Sequence, residues 1–157
     1  MAEEQTEGRG RLGRQWDAPP GTSVLASLVL RPDVPAHRLP ELSLVAGEAV
    51  AEAVASVTAL DAEVRFPNDV LVHGHKIAGI LAEASDGRVV LGIGVNVNQV
   101  AEELPAGART PATSLRLESG ARIDRAEVLA TILERLERRY DKWLARERAG
   151  CKPAAPA

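Results

Sequence analysis

The sequence predicts an α+β fold, a mixed and mostly antiparallel sheet backed by helices. Three observations lead there. Apolar runs of strand length recur through the first hundred residues, two longer stretches repeat their apolar residues at helical period, and glycine-containing turns separate consecutive strands mid-chain. With 157 residues, 45% of them hydrophobic, the chain can bury one core of ordinary size.

The apolar run Val24–Leu30 in "TSVLASLVLRP" reads as a mostly buried strand, closed by Pro32. Residues 38–57 place Leu42, Val45, Ala46, Ala49, Val50, Ala53 and Val54 on one side of a 3.6-residue period. This is an alanine-rich helix able to approach a sheet closely, and Gly47, which costs some helix propensity, marks close packing. "AEVRFPNDVLV" is a short strand interrupted by Pro67 and the Asn68–Asp69 pair. The turn "HGHK", the strand "IAGILAEAS", the turn "DGR" and the strand "VVLGIGVNVNQ" follow as hairpins, the last strand including Asn96 and Asn98. Residues 100–123 form a connection whose most organised part is "ATSLRLESG". The final helix starts at Asp124 as cap, with Glu127 as its capping-box partner. It presents Val128, Leu129, Ile132, Leu133, Leu136, Tyr140, Trp143 and Leu144 to the core. One domain is expected over residues 1–149, and residues 150–157 as a flexible Ala/Pro tail.

A formal net charge of −3 argues against a general nucleic-acid binder, so functional positive charge has to be local. Lys76, Lys142 and Lys152 are the only lysines in an arginine-rich chain, which makes Lys76 conspicuous. The single cysteine, Cys151, excludes a disulfide framework and a cysteine-rich metal site. His37, His73 and His75 lack a convincing metal spacing, although His73 and His75 could share a strand face, and no protein ligand to a metal is expected. The polar N-terminus "MAEEQTEGR" is no signal peptide, and no run approaches the roughly 18 apolar residues of a membrane span. The expectation is a cytoplasmic protein with neither a membrane nor a nucleic-acid partner.

Three polar intrusions carry the candidate chemistry. In "EGRGRLGRQW", Gly8, Gly10 and Gly13 satisfy G-x-G-x-x-G by spacing, but no apolar strand precedes them, which rejects a dinucleotide fold. What remains is backbone N–H groups and the guanidinium forks of Arg9, Arg11 and Arg14, with Trp16 as a stacking face. That set suits a small anionic ligand, an RGG-like arm or a solvated loop. In "RFPNDVLVHGHKIAG", Asn68 and Asp69 form a turn, or orient a ligand with Asp69 holding Mg²⁺ indirectly. Lys76 supplies a mobile point charge. In "LGIGVNVNQ", Gly92, Gly94, Asn96 and Asn98 share one face, leaving room for a ligand across the sheet.

Taken in order, "EEQTEGRGRLGRQW", "RFPNDVLV", "HKIAGILAE" and "GIGVNVNQ" resemble the catalytic domain of biotin protein ligases, over roughly residues 3–145. The resemblance implies a class II synthetase-like fold, shared with lipoate ligases. It also implies use of ATP, Mg²⁺ and biotin to form biotinyl-5'-AMP. Biotin then passes to one lysine of the biotin carboxyl carrier protein of acetyl-CoA carboxylase. By the same resemblance, Lys76 and Arg11 are the catalytic pair and Lys76 bridges carboxylate and α-phosphate. Arg9, Gly10 and Arg11 contact biotin and its activated carboxyl, supported by Arg14. Gln5 reaches the ureido end, Trp16 packs by adenine, Gly79 admits biotin close to a strand, and Asn68, Asp69 and Asn96 form the nucleotide-side polar set.

Against the family pattern, Arg65–Phe66 stand where Lys-Trp is more frequent. The sequence begins after the expected first strand and Ser-Thr-Asn helix, and ends before the small C-terminal domain. The resemblance implies a homodimer, and the sheet edge exposed without that first strand supports it. Two alternatives are an inactive biotin- or nucleotide-binding domain and a lipoate-type ligase.

Overall fold

The structure is a computed structural model that describes residues 1–150. Residues 151–157, with Cys151 and most of the expected tail, lie outside the described residues. Five strands, β1 (Ser23–Leu30), β2 (Ala62–Arg65), β3 (Asp69–Val72), β4 (His75–Ser85) and β5 (Arg88–Asn96), form one sheet in the order β1-β5-β4-β3-β2. Every neighbouring pair of these strands is antiparallel.

Local chemistry explains the hairpins. His73–Gly74 and Asp86–Gly87 have φ values of 50, 79, 49 and 71°, the left-handed pairs that make two-residue turns matching strand twist. The expected single interrupted strand is two strands, β2 and β3, because the turn Phe66–Asn68 reverses the chain.

Helices α1 (Leu42–Thr58) and α3 (Arg125–Gly150) pack on one face of the sheet and on each other, while α2 (Leu115–Ser119) is a short turn capped by Ser114. The helix expected from residue 38 begins instead as a 3₁₀ turn, Ala36–Glu41, because Pro40 interrupts the α-helical ladder. The buried stripe of α1 is the expected one, with Val45 only half-buried. A Cβ on Gly47 would stand 3.1 Å from Val64 Cγ1, so glycine allows the close approach of α1 to β2. Asp124 caps α3, its carboxylate accepting from the Ala126 N–H at 2.8 Å. The reciprocal Glu127 bond of a capping box is absent among the described residues. Val128, Ile132, Leu136 and Trp143 are buried along α3, whereas Leu133 stays 39% exposed. None of the described helices is long and apolar enough to cross a membrane.

Strand residues alternate between the faces. Val24, Val70, Ala78, Leu91, Ile93 and Val95 point into the helix-packed core. The opposite face carries the cleft. β5 ends at Asn96, so Asn98 lies beyond the strand rather than in it. Its side chain bonds both the N–H and the carbonyl of Ile123, tying the strand end to the approach of α3.

Candidate active site

Directly paired residues of antiparallel strands face the same way. The register therefore aligns Arg65, Asp69, Gly79, Gly94 and Leu25 in one row across the open face. The two glycines at its centre make a trough, and Trp16 fills it. A Cβ on Gly94 would stand 2.7 Å from Trp16 Cε2, and one on Gly79 would stand 2.9 Å from Cζ3. In the next row, Ser27, Gly92 and Leu81, no side chain among the described residues covers the floor in this way. The nearest atoms to a Cβ on Gly92 are Leu81 O at 3.6 Å and Leu81 Cβ at 3.8 Å. A cleft of about 480 Å³ opens over this part of the sheet.

One wall is the arginine–glycine loop. Trp16 N–H donates to Gly8 O at 2.9 Å and Gly10 N–H to Arg14 O at 2.8 Å, with a 3₁₀ turn at Arg11–Gly13. The loop is thus a closed antiparallel hairpin rather than a slack arm. Gly13, at φ 71°, allows the reversal, and a Cβ at Gly8 would run into the Trp16 carbonyl. The hairpin overhangs Leu81 and Glu83 with its guanidinium groups exposed. Arg9 Nη1 lies 3.8 Å from Glu83 Oε1, and Arg11 Nη1 donates to Asn68 Oδ1 at 3.3 Å.

The other end centres on Lys76. Its ammonium is 2.7 Å from Asp69 Oδ1 and 5.6 Å from the Trp16 ring centroid, with both charged side chains about a quarter exposed. Asn68 is fixed beside it, donating to Ile80 O at 3.1 Å. The irregular connection before α2 runs alongside. Lys76 N–H donates to Pro111 O at 2.8 Å, and Thr113 N–H donates to Lys76 O at 2.9 Å. This brings Arg109 and Thr110 onto the cleft wall, where Thr110 Oγ1 accepts from Arg65 Nη1 at 2.9 Å.

Below the cleft, His73 Nδ1 lies 2.7 Å from Glu118 Oε2, and Thr113 donates to Glu118 Oε1 at 2.6 Å, fastening the β3–β4 hairpin to α2. Burial pushes the Glu118 carboxyl up, but the Thr113 hydroxyl and His73 ring outweigh it and hold the carboxyl below its ordinary range.

Six cationic and three anionic side chains line the cleft of a net-negative chain, so its local charge suits an anionic ligand. Gln5, Arg9, Gly10, Arg11, Arg14, Trp16, Asn68, Asp69, Lys76 and Gly79 all border it. Asn96 does not line it. Only 5% exposed, it donates to Thr113 O at 3.0 Å and accepts from Gln99 Nε2 at 3.0 Å, so both ends of its amide serve the fold. Arg65, Arg109 and Thr110 also line the cleft although sequence reasoning assigned them no site role. Arg65 carried a signal, its place beside "PND". Arg109 sits in an irregular stretch that has none.

Trp16 Nε1 is buried against the strand at Gly94, with no hydrogen-bond partner among the described residues. No cluster of three or more His, Cys, Asp or Glu able to hold a metal occurs among the described residues.

A glycine-floored, arginine-walled cleft on the face of an antiparallel sheet opposite its helices defines an α+β domain whose cleft charge suits an anionic ligand. The chain belongs to the biotin/lipoate A/B protein ligase family, whose profile matches residues 1–99. It is 40% identical over 149 residues to the bifunctional ligase/repressor BirA of Bacillus subtilis, covering 92% of this chain and 46% of that protein. It is 42% identical over 147 residues to the biotin–[acetyl-CoA-carboxylase] ligase of Mycobacterium tuberculosis, covering 91% and 54%. The solved biotin protein ligase from Aquifex aeolicus, in complex with biotin and ATP, superposes with a TM-score of 0.83 at 36% identity, covering 93% of this chain and 61% of that one. The chain spans about half the length of these curated relatives.

Proposed function

We propose that residues 1–149 form the catalytic domain of an ATP-dependent biotin–protein ligase acting in the cytoplasm. It would make biotinyl-5'-AMP and pass biotin to a lysine of a biotin carboxyl carrier protein. The observation that carries this reading is the convergence on one glycine-floored cleft of the arginine hairpin and the Lys76–Asp69 pair. The likeness to a ligase solved with biotin and ATP supports it.

Two anions must meet, a carboxylate and an α-phosphate, and cations in a partly dehydrated cleft lower the cost of that approach. In this reading Lys76 neutralises the charge developing between them, which its position at the sheet beside Asp69 supports. It is an electrostatic residue, not a nucleophile. Arg11, bonded to Asn68 across the cleft, couples the hairpin to the same point, with Arg9 and Arg14 flanking it. The uncovered Gly92 strip beside Trp16 admits a flat apolar body close to the strand. Mg²⁺ bound with ATP supplies charge balance for the departing pyrophosphate. The hairpin closes one side and slows hydrolysis of the mixed anhydride until the acceptor lysine attacks.

The deciding assay incubates the protein with ATP, Mg²⁺, biotin and a carrier domain and reads the acceptor's mass. A biotin increment is expected. None on the carrier, with biotin still bound, would favour a binding domain without turnover, and a lipoyl increment in a parallel incubation would favour the lipoate branch. Self-association belongs to the same proposal. Among the described residues β1 is an edge strand whose outer side carries one bridge, from Ala2 to Leu25, and such an edge can pair with a second copy. Sedimentation of the protein with and without ligands tests it.

A further inference from the structure

Resting on that reading, we propose that Arg109, with Arg65 beside it, forms the subsite for the terminal phosphates of ATP and so for the pyrophosphate that leaves. The argument is one of position and charge. Arg65 stands next to Asp69 in the cross-strand row, one strand nearer the sheet edge, and its guanidinium is steadied by the Thr110 hydroxyl at 2.9 Å. Arg109 precedes Thr110 in a segment pinned by two backbone bonds to Lys76 itself. Both arginines are exposed in the cleft, and among the described residues neither has a carboxylate within ion-pair distance. By contrast Lys76 is paired with Asp69, and Arg9 lies near Glu83. Arg11 also lacks a carboxylate partner but reaches this end from the hairpin through Asn68, so Arg65 and Arg109 are the uncompensated cations on the wall away from the hairpin.

A triphosphate carries most of its charge on its terminal groups, and guanidinium forks match phosphate oxygens in pairs. In the adenylation step a biotin carboxylate oxygen forms a bond to the α-phosphorus. The bond from that phosphorus to the oxygen bridging to the β-phosphate breaks. The bridging oxygen keeps the electron pair and departs in pyrophosphate, and no proton or outside electron is required. Charge accumulates on the departing oxygens, beyond Lys76 as seen from the hairpin, which is the side Arg65 and Arg109 occupy. Cations there act on bond breaking and have no part in the later transfer to lysine, when pyrophosphate has gone.

The test compares wild type with Arg109→Ala and Arg65→Ala in three measurements. Calorimetric titration with magnesium pyrophosphate should show binding to wild type, weakened about tenfold to a hundredfold by Arg109→Ala. The KM for ATP in adenylation should rise by a similar factor. Single-turnover transfer from preformed biotinyl-5'-AMP to the carrier should keep the wild-type rate. Arg109→Lys should restore part of the pyrophosphate affinity. Unchanged pyrophosphate binding in Arg109→Ala, or a transfer step slowed as much as adenylation, would overturn the assignment. Failure of wild type to make biotinyl-5'-AMP would sink the ligase reading instead, and the pyrophosphate titration would still decide the subsite.

Discussion

Gly94 and Gly92 lie two residues apart on one strand and one face, yet their substitution by alanine should have opposite consequences. At Gly94 the new methyl would be 2.7 Å from the Trp16 indole, well inside van der Waals contact, so the ring must lift out of its trough. Overpacking of this kind costs about 1–3 kcal/mol, against a gain of about 0.4–1 kcal/mol from restricting the unfolded chain. The net loss should lower the melting temperature by a few degrees, at about 2–4 °C per kcal/mol for a chain of this size. At Gly92 the methyl meets nothing closer than 3.6 Å, so only the unfolded-state gain remains and stability should hold or rise slightly. Fluorescence separates the two further. Trp16 and Trp143 are the only tryptophans, so in a Trp143→Phe background the emission of Trp16 should shift red in Gly94→Ala and stay put in Gly92→Ala. Ligand binding should weaken in both, through a displaced wall in one and a filled floor in the other. Equal melting temperatures and equal spectra for the two variants would refute the trough.

Lys76→Ala should slow adenylation by about two to three orders of magnitude, the usual effect of removing a preorganised charge, in a rapid-quench assay. Because the Lys76–Asp69 pair is mostly buried, Lys76→Ala also strands the Asp69 carboxylate and should cost about 1–3 kcal/mol, several degrees of melting temperature, and a collapse of the fold with activity would make Lys76 structural. Glu118 gives a pH signature. Its carboxyl is held below the ordinary 4.5, so its contribution to stability is complete above that value and disappears as pH falls through the folded-state value. The melting-temperature gap between wild type and Glu118→Gln should thus close as pH falls below about 4.5. A gap that widened in acid would contradict the direction of the shift.

The strands and the long helices were legible because their signals are periodic and local: "HGHK" and "DGR" specify two-residue turns, and the apolar stripe of α1 specifies which side is buried. The composition of the cleft was legible in part, since the hairpin, "PND", Lys76 and Gly79 are compact motifs. What was hidden depends on register. Nothing local aligns Arg65 with Asp69, Gly79 and Gly94. The turn lengths and the irregular pairing at Val70/Leu71 do that. Asn96 misled because an amide on a strand face looks identical whether a ligand or the Thr113 carbonyl takes its hydrogen bond. Arg109 was invisible because its position comes from the neighbouring backbone of Lys76, two elements away in sequence.

Both walls of the cleft are held in place by main-chain bonds: Trp16 to Gly8 and Gly10 to Arg14 on one side, Lys76 to Pro111 and Thr113 to Lys76 on the other. Main-chain bonds are indifferent to most side chains. A mutation at Arg9, Arg109 or Thr110 therefore changes what the walls offer without changing where they stand. Such a site can be re-specified one position at a time, each intermediate still presenting a formed cleft, which makes these three positions natural targets for redirecting the domain to other acyl acids or nucleotides.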